Sequence, residues 1–277
     1  MTKRTLDTGT QDVLAQVEDR VATITLNRPE RRNALSGAML RGLALALDEA
    51  ERAADVGALL LTGTGGAFCA GGDVKEMAAG GSGGAGEGAG LDAAIHRQRL
   101  SQRATSGRIY TMPKPVVAAL PGAAAGAGLA LALACDLRIA SENALLTTAF
   151  ARVGFSGDYG GSYFLSQLVG SAKARELYYL SERIDANEAL RLGLVNFVVP
   201  ADRLAEGGRE LASRLAHGPS VAYRYMKENL NRAATGVDVL TSMDLEATHH
   251  VHTALTKDHR EATKAFVEKR EPVFQGR

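Results

Sequence analysis

The sequence predicts an α/β fold, in which buried strands alternate with helices, followed by a helical C-terminal part. Three observations support this prediction. Alternation of apolar and polar residues near the N-terminus is typical of paired strands. Short, uniformly apolar runs further along the chain predict buried strands, each followed by a glycine-containing turn or another element. After Pro200 the strand patterns end and amphipathic helical patterns replace them.

The first predicted elements form a β-β-α unit. The stretch "DVLAQVEDRVATITLNRP" predicts two strands joined by a polar turn at residues 18–20. Ser36 is a suitable N-cap for an amphipathic helix that runs to about Ala53, because its hydroxyl can accept a hydrogen bond from the first helical turn. The later buried strands are "ALLLTG" (58–63), "PVVAAL" (115–120) and "CDLRIA" (135–140).

The remaining chain contains a glycine-rich stretch and a helical tail. Residues 78–90, "AAGGSGGAGEGAG", hold too many glycines to order readily, so the sequence predicts a mobile loop there. We place a domain boundary near Pro200, with an α/β core in residues 1–200 and a helical region in residues 201–277. A helical region of this size has too little core of its own, so we expect it to pack on the first domain or on a neighbouring subunit.

Composition excludes several classes of partner. The chain has 277 residues, 45% of them hydrophobic, and a net charge of +1, which gives no electrostatic reason to expect nucleic acid or an anionic membrane. Cys69 and Cys135 have no second cysteine or histidine at metal-ligand spacing, so we expect neither a disulfide nor a metal site. The N-terminal stretch lacks the apolar core of a signal peptide, and we expect a cytoplasmic protein.

Two glycine turns have the pattern of an anion-binding site. The segments "GGAFCAGGDVKEM" (65–77) and "PGAAAGAGLAL" (121–131) each place small residues where a predicted strand ends and a helix begins. The free N–H groups at a helix start point outward, so two of them can bind a developing negative oxygen. Close packing between helix and strand would also favour small residues at these positions, and each motif alone leaves both interpretations open.

Five motifs follow one another along the chain: "NRPERRNAL", "GGAFCAGGDVKEM", "KPVVAALPGAAAGAGLALALACDLRIASENA", "ANEALRLGLVNFVVP" and "EATKAFVEKREPVF". Together, over residues from about 12 to the end, they resemble the crotonase superfamily of enoyl-CoA hydratases and isomerases. The resemblance implies a spiral of repeated β-β-α units and a helical C-terminal part that forms a homotrimer or a dimer of trimers. It also implies an acyl-CoA thioester as substrate, with no separate cofactor, and an oxyanion hole formed by the backbone N–H groups of Gly72 and Ala127.

The same resemblance implies a coenzyme A site. Phosphates favour Arg and Lys, and an aromatic ring can stack on adenine. Six positions match residues that lie beside the coenzyme A of relatives. The first four in the list below contact the coenzyme A of their own subunit, and the last two reach that of a neighbouring subunit. They are Arg32, Ala34, Ala70, Lys75, Phe266 and Lys269.

The chain departs from the family pattern where hydratases place two glutamates. The matching positions hold Ala130 and Phe150, which cannot transfer a proton, so the two-glutamate hydration mechanism has lost both of its groups. Phe150 suggests an apolar or aromatic-lined acyl pocket, although a Phe at the edge of a strand or helix is more often an ordinary core residue.

One carboxylate remains at a position that matches catalysts of the family. Asp158, in "VGFSGDYGGSYFL", resembles the loop aspartate of ring-derived enoyl-CoA isomerases and of 4-chlorobenzoyl-CoA dehalogenase. An acid/base role in isomerisation, a nucleophilic role and a plain helix N-cap are the alternatives. Asp73 and Asp136 match structural positions. The histidines of the tail are expected on helix surfaces rather than around a metal; they are His249, His250, His252 and His259.

The sequence therefore predicts an acyl-CoA enzyme that stabilises a thioester enolate, with Asp158 as the acid/base of a double-bond isomerase. Hydratase, hydrolase and dehalogenase-like chemistry remain alternatives. A catalytically silent acyl-CoA binder, which kept the fold and lost the glutamates, is the non-enzyme alternative.

Overall fold

The computed structural model describes residues 3–74 and 90–277, and it confirms the α/β fold. The strands are β1 (Arg4–Thr5), β2 (Val13–Glu18), β3 (Val21–Leu26), β4 (Ala58–Gly63), β5 (Ala67–Cys69), β6 (Val116–Leu120), β7 (Ala123–Ala125), β8 (Leu137–Ser141), β9 (Leu145–Thr147), β10 (Ile184–Asp185) and β11 (Phe197–Val199).

The helices of the described residues are α1 (Gly37–Arg52), α2 (Leu91–Gln102), α3 (Arg108–Thr111), α4 (Ala127–Ala134), α5 (Gly161–Leu180), α6 (Ala186–Arg191), α7 (Leu204–Ala216), α8 (Ser220–Ala234), α9 (Val239–Ala254) and α10 (Lys257–Glu268). A π-helical turn, Arg103–Gly107, joins α2 to α3, and short 3-10 turns lie at Pro29–Arg31, Phe150–Val153 and Ala201–Arg203. Helix α5 consists of two segments, because Gly170 has φ 74° and interrupts it.

Two sheets organise the core. The larger has seven strands in the order β1-β2-β3-β4-β6-β8-β11, antiparallel from β1 to β3 and parallel from β3 onwards. The smaller has the order β10-β9-β7-β5, and only its β10-β9 pair is antiparallel. Successive strand pairs share one pattern: β4, β6 and β8 enter the large sheet, while β5, β7 and β9 enter the small one. This repetition is the spiral of β-β-α units that the sequence predicted.

Local sequence signals explain the first unit. Asp19 and Arg20 form the turn between β2 and β3 with positive φ angles of 48° and 63°, typical of a tight hairpin turn. The Ser36 hydroxyl accepts a hydrogen bond of 3.0 Å from the Met39 N–H and so caps α1, as predicted. Helix α1 then buries one face, which includes Leu43 and Leu47, against the sheet.

The helices after Pro200 contact the rest of the chain to different extents. Helix α7 packs on the large sheet, because Leu204, Ala212 and Ala216 share a buried cluster with residues of β3, β4 and β6. Helix α8 is tied to the core by the buried Lys227 ammonium, which donates 2.8 Å to the Asp136 carboxylate and 2.9 Å to the Ile109 carbonyl. The domain boundary near Pro200 stays a prediction.

Residues 75–89 lie outside the described residues. The predicted loop at 78–90, apart from Gly90, and the coenzyme A candidate Lys75 fall in this segment. In the parts of the chain that the structure does describe, no helix is both long and apolar enough to cross a membrane.

Candidate active site

The two glycine turns lie next to each other because their strands are neighbours. Strands β5 and β7 are parallel and paired, with Ala67 opposite Ala123 and Cys69 opposite Ala124. The carboxyl ends of parallel strands lie at the same edge of a sheet, so the turns that follow β5 and β7 meet there. The first turn leads to Gly72, and the second begins α4 at Ala127.

Close contact between these turns requires glycine at two positions. Gly71 has φ 90°, and a Cβ there would lie 2.8 Å from the Ala125 carbonyl oxygen. A Cβ at Gly128 would lie 2.4 Å from the Cys69 carbonyl oxygen and 2.7 Å from the Cys69 Sγ. Neither position can accept a side chain without a backbone shift, so the glycines bring the two turns together. The packing interpretation of these glycines is therefore correct, and the oxyanion interpretation stays a prediction.

The backbone N–H groups of Gly72 and Ala127 are the candidate oxyanion donors. Neither one donates a hydrogen bond to any residue that the structure describes. Ala127 is the first residue of α4, and Gly126 before it has φ 52° and ψ −124°, a backbone conformation that favours glycine. The Gly126 N–H donates to the Thr147 carbonyl oxygen at 3.1 Å and fixes the turn on β9. The arrangement leaves two free donors beside the start of a helix, where anions bind.

Three coenzyme A candidates lie together beside the first turn. The Ala70 N–H donates to the Arg32 carbonyl oxygen at 3.0 Å, and the Leu35 N–H donates to the Gly71 carbonyl oxygen at 2.7 Å. Arg32 has φ 49° and Ala34 is buried. The segment around Arg32 and Ala34 is thereby joined to Ala70 by backbone hydrogen bonds.

The two coenzyme A candidates of the tail lie elsewhere. Phe266 is on α10 with 85% of its surface exposed, and Lys269 follows as the left-handed C-cap of that helix. Among the described residues, no hydrogen bond or ion pair joins either of them to Arg32, Ala34 or Ala70. A contact with a neighbouring subunit's ligand stays a prediction.

The positions that hold glutamates in two-glutamate hydratases are apolar and filled. Ala130 is buried in α4, and Phe150 is 7% exposed. The Phe150 ring lies against Gly126, where a Cβ would be 3.6 Å from Phe150 Cε1. On its other side it stacks on Tyr178 with centroids 5.7 Å apart and an interplanar angle of 19°. A crevice behind the second turn is lined by these rings and by small or apolar residues: Gly126, Leu129, Ala130, Leu133, Thr148, Gly161 and Leu165.

The Asp158 carboxylate is not a helix cap. Gly160 occupies the N-cap position of α5 and provides no side chain, and Asp158 contributes only its backbone carbonyl, which accepts 3.0 Å from the Gly161 N–H. Its Oδ1 is buried and has no hydrogen-bond partner among the described residues. Burial therefore raises the pKa of the Asp158 carboxyl to about 6. A carboxylate with this pKa is ionised at neutral pH and is a competent proton acceptor.

The loop that carries Asp158 is held in an unusual backbone conformation. Gly157, Tyr159 and Gly160 all have positive φ angles, of 110°, 49° and 77°. The end of α2 fixes this loop: the Tyr159 N–H donates 2.7 Å to Gln102 Oε1, and the Tyr159 hydroxyl lies 3.1 Å from Ser101 Oγ. The Tyr159 side chain itself is buried. A non-glycine residue with positive φ needs such support, because the conformation is strained.

Asp136, Asp73 and His249, which the sequence analysis considered, have structural partners. Asp136 Oδ2 accepts 2.7 Å from the Val116 N–H as well as 2.8 Å from Lys227, and Asp73 forms an ion pair with Arg28 at 3.4 Å. His249 stacks on Tyr225 with centroids 4.1 Å apart. No group of three or more potential metal ligands occurs within the described ranges.

Sequence reasoning missed Tyr178. Its hydroxyl is buried without a hydrogen-bond partner in the described part of the chain, and its ring lies against the glycines on both sides of Asp158. A Cβ at Gly157 would lie 3.0 Å from Tyr178 Cε1, and a Cβ at Gly161 would lie 2.8 Å from the Tyr178 hydroxyl oxygen. The glycines around Asp158 were the available signal, because they allow a large side chain to approach the loop backbone.

Two glycine turns lie side by side on a spiral of β-β-α units, and each has a backbone N–H without a hydrogen-bond partner among the described residues. The chain belongs to the enoyl-CoA hydratase/isomerase family, whose model matches residues 16–277.

Individual relatives in the family differ in the reaction that their names describe. The chain is 36% identical to the 1,2-epoxyphenylacetyl-CoA isomerase of Escherichia coli K12, covering 96% of this chain and 98% of the relative. It is 34% identical to the short-chain-enoyl-CoA hydratase of Clostridium acetobutylicum, covering 94% and 95%. A solved structure, an enoyl-CoA hydratase from Bacillus anthracis, superposes with a TM-score of 0.87 at 35% identity, covering 96% of this chain and all of that one.

Proposed function

We propose that this protein is an enoyl-CoA double-bond isomerase in which Asp158 is the acid/base. The observation that carries the proposal is the Asp158 carboxylate: its Oδ1 is buried without a hydrogen-bond partner among the described residues, and it does not cap α5. Both hydratase glutamate positions hold residues that cannot transfer a proton, Ala130 and Phe150. The proposal is consistent with the name of one relative, the 1,2-epoxyphenylacetyl-CoA isomerase, which is 36% identical to this chain.

The proposed reaction moves one proton. Asp158 removes the proton from the carbon α to the thioester, and the electron pair moves onto the thioester oxygen to form an enolate. The N–H groups of Gly72 and Ala127 stabilise that oxygen, and each such donor is typically worth roughly 2.7 to 4 kcal/mol in the transition state. Asp158 then returns the proton to the γ carbon, and the double bond shifts. Coenzyme A is part of the substrate, and the proposal requires no separate cofactor.

Asp158→Asn tests the proposal. Asparagine has nearly the same size but cannot act as a base near neutral pH, so we expect exchange of the α proton of a bound acyl-CoA with deuterium to fall at least about a hundredfold. Isomerisation of a 3-enoyl-CoA should fall equally, while acyl-CoA affinity by calorimetry stays nearly constant. Asp202→Asn, an exposed carboxylate in a 3-10 turn, is the matched control.

Retained exchange in Asp158→Asn would contradict the acid/base assignment. Absence of exchange in the unmodified protein, together with tight acyl-CoA binding, would instead favour a silent binder. The enzyme alternatives are a hydratase, a hydrolase or a dehalogenase-like activity, and the relatives named as hydratases favour the first of these.

The assembly expected from the resemblance, a homotrimer or a dimer of trimers, also stays a proposal. The support is the exposed apolar surface of the tail helices, which a monomer would leave in water. It includes Leu230, Val239, Leu240, Leu255, Phe266 and Val267. Light scattering at micromolar concentration measures the mass, and a monomer there would contradict the proposal. A cytoplasmic location likewise stays a prediction.

A further inference from the structure

A side chain from another element holds the backbone of the Asp158 loop. Gln102 is the last residue of α2, and its Oε1 accepts a hydrogen bond of 2.7 Å from the Tyr159 N–H. This N–H and the Asp158 carbonyl belong to one planar peptide unit, and the carbonyl accepts 3.0 Å from the Gly161 N–H. The peptide unit that follows Asp158 is therefore held at both ends, by its own helix α5 and by Gln102 of α2.

The Tyr159 side chain has a separate attachment to α2. Its ring is buried, and its hydroxyl lies 3.1 Å from Ser101 Oγ. Gln98, one turn earlier on α2, also forms a hydrogen bond with this hydroxyl. The ring thus fixes where the loop lies, and the bond to Gln102 fixes how the peptide unit is turned. Because Tyr159 has φ 49°, which is strained for a residue with a side chain, that orientation needs a partner.

The end of α2 is itself fixed on the rest of the site. Two buried hydroxyls of the π-helical turn that follows α2 hold its last carbonyls. The Thr105 hydroxyl donates 2.8 Å to the Ser101 carbonyl oxygen. The Ser106 hydroxyl donates 3.2 Å to the Gln102 carbonyl oxygen. The turn packs against α1 and α4, and α4 begins at Ala127, one of the candidate oxyanion donors. Turns of this type occur often at functional sites, and this one connects the oxyanion helix to the side chain that orients the Asp158 peptide.

We infer that Gln102 is a positioning residue, whose amide oxygen sets the direction of the Asp158 carboxylate relative to the Ala127 N–H. The inference rests on the proposed function, because it concerns the base of that reaction. A base must lie within hydrogen-bond reach of the proton that it removes, while the enolate oxygen stays on the oxyanion donors. Without the bond to Gln102, the strained Tyr159 backbone relaxes and moves the carboxylate with it. A displacement of about 1 Å can cost about 10² in rate.

Gln102→Leu tests the inference, because leucine fills a similar volume on a helix and offers no acceptor to the Tyr159 N–H. We expect exchange of the α proton of bound butyryl-CoA with deuterium to fall roughly tenfold to a hundredfold. The affinity for butyryl-CoA, measured by calorimetry, should stay nearly constant, because the role of Gln102 is to orient the base and not to bind the ligand.

Two further substitutions at the same position show whether the acceptor oxygen is what matters. Gln102→Glu keeps an acceptor at the same distance along the side chain, so it should retain most of the exchange. Gln102→Asn withdraws the same amide by one methylene group, so it should lose exchange as Gln102→Leu does, and the test does not depend on the folding of one variant. Gln167→Leu, at an exposed glutamine of α5, is the matched control and should leave exchange unchanged.

Three outcomes would overturn the inference. The first is full exchange in both Gln102→Leu and Gln102→Asn. The second is a loss in Gln102→Glu as large as in Gln102→Leu, since the acceptor oxygen would then not matter. The third is a loss of affinity that parallels the loss of exchange, which would indicate a general structural role.

The double variant Gln102→Leu/Asp158→Asn separates the inference from the proposed function. If Gln102 acts through Asp158, the double variant should exchange no more slowly than Asp158→Asn alone, because the two residues act as a unit. A further loss would mean that Gln102 acts on another group and would overturn the inference. Undiminished exchange in Asp158→Asn would overturn the proposed function and the inference together. A loss in Asp158→Asn with full exchange in Gln102→Leu and Gln102→Asn would overturn the inference alone.

Discussion

The candidate site has two halves that are held in place in different ways. The thioester half, Gly72 and Ala127 with their turns, uses backbone donors fixed by sheet pairing and by glycines that permit close approach. The acyl half, Asp158, Phe150 and Tyr178 with Ala130, uses side chains, and two of these have a buried polar atom without a hydrogen-bond partner in the described part of the chain. In the proposed function, the backbone half can serve any thioester, because it would bind only the oxygen that all thioesters share. The side-chain half would then determine which reaction follows.

The largest expected effect is on the rate of hydration, for which the acyl half of this protein is compared with that of a two-glutamate enzyme. We expect negligible hydration of crotonyl-CoA, since Ala130 and Phe150 can neither position nor deprotonate a water molecule. Each lost acid or base should cost roughly 10² to 10⁴ in rate. Absorbance of the enoyl thioester follows the reaction, with a two-glutamate hydratase as reference. A rate within about tenfold of that reference would refute the claim that the acyl half has lost the groups needed for hydration.

Gly128→Ala should damage the thioester half. The new Cβ would lie 2.4 Å from the Cys69 carbonyl oxygen, so the turns must separate and the donors at Gly72 and Ala127 must diverge. We expect a loss of about 1–3 kcal/mol in unfolding free energy, and a fall of about 10² in α-proton exchange. Denaturant titration and deuterium exchange measure the two effects.

Gly37→Ala is the control for that substitution. A Cβ at Gly37, in the first turn of α1, would meet only the end of the flexible Arg41 side chain, at 3.3 Å. This variant should keep full activity and stability. If Gly128→Ala behaved in the same way, the close contact between the two turns would not be what positions the donors.

The smallest expected effect is the pH dependence of stability that Asp158 causes. Burial raises the pKa of its carboxyl from 3.8 to about 6 in the folded protein, so the folded state binds this proton more tightly than the unfolded state does. The contribution of Asp158 to stability is therefore greatest below about pH 4 and falls as the pH rises to about 6. Asp158→Asn removes this penalty, so we expect a Tm a few degrees higher than that of the unmodified protein at neutral pH and nearly equal at low pH.

Thermal unfolding at several pH values measures the difference between Asp158→Asn and the unmodified protein. A lower Tm for Asp158→Asn at neutral pH would mean that the carboxylate has a stabilising partner. The α-proton exchange of the unmodified protein should lose activity as the pH falls through about 6, because the base becomes protonated.

The strands, the helix cap and the glycine turns of the thioester half could be predicted from the sequence because they depend on local patterns. The apolar run 58–63 became β4 with the predicted ends, and Ser36 became the predicted cap of α1. The turn at Gly126 and Ala127 follows from glycines that directly join a strand to a helix. Local chain geometry determines such features, and the sequence displays that geometry directly.

The acyl half could not be predicted in the same way. The pattern around Asp158 indicated a helix cap as well as a catalyst, and the difference depends on positive φ angles at three nearby residues and on Tyr159 held by Gln102 of α2. Tyr178 lies twenty positions further along, and its approach to Gly157 and Gly161 is a contact between segments. Such contacts depend on how elements pack, which no local pattern contains.

Because Cys69 packs against Gly128, the rate at which its thiol is alkylated reports how often the two glycine turns separate. The Cys69 thiol is fully buried, and burial raises its pKa to about 12, so it resists alkylation until the structure around it opens. Cys135, at the C-terminal end of α4, is buried with a pKa also raised to about 12, and its thiol lies near the Leu131 carbonyl oxygen. The two thiols react with the same reagent in the same molecule, so the ratio of their labelling rates separates local opening of the turns from unfolding of the whole protein.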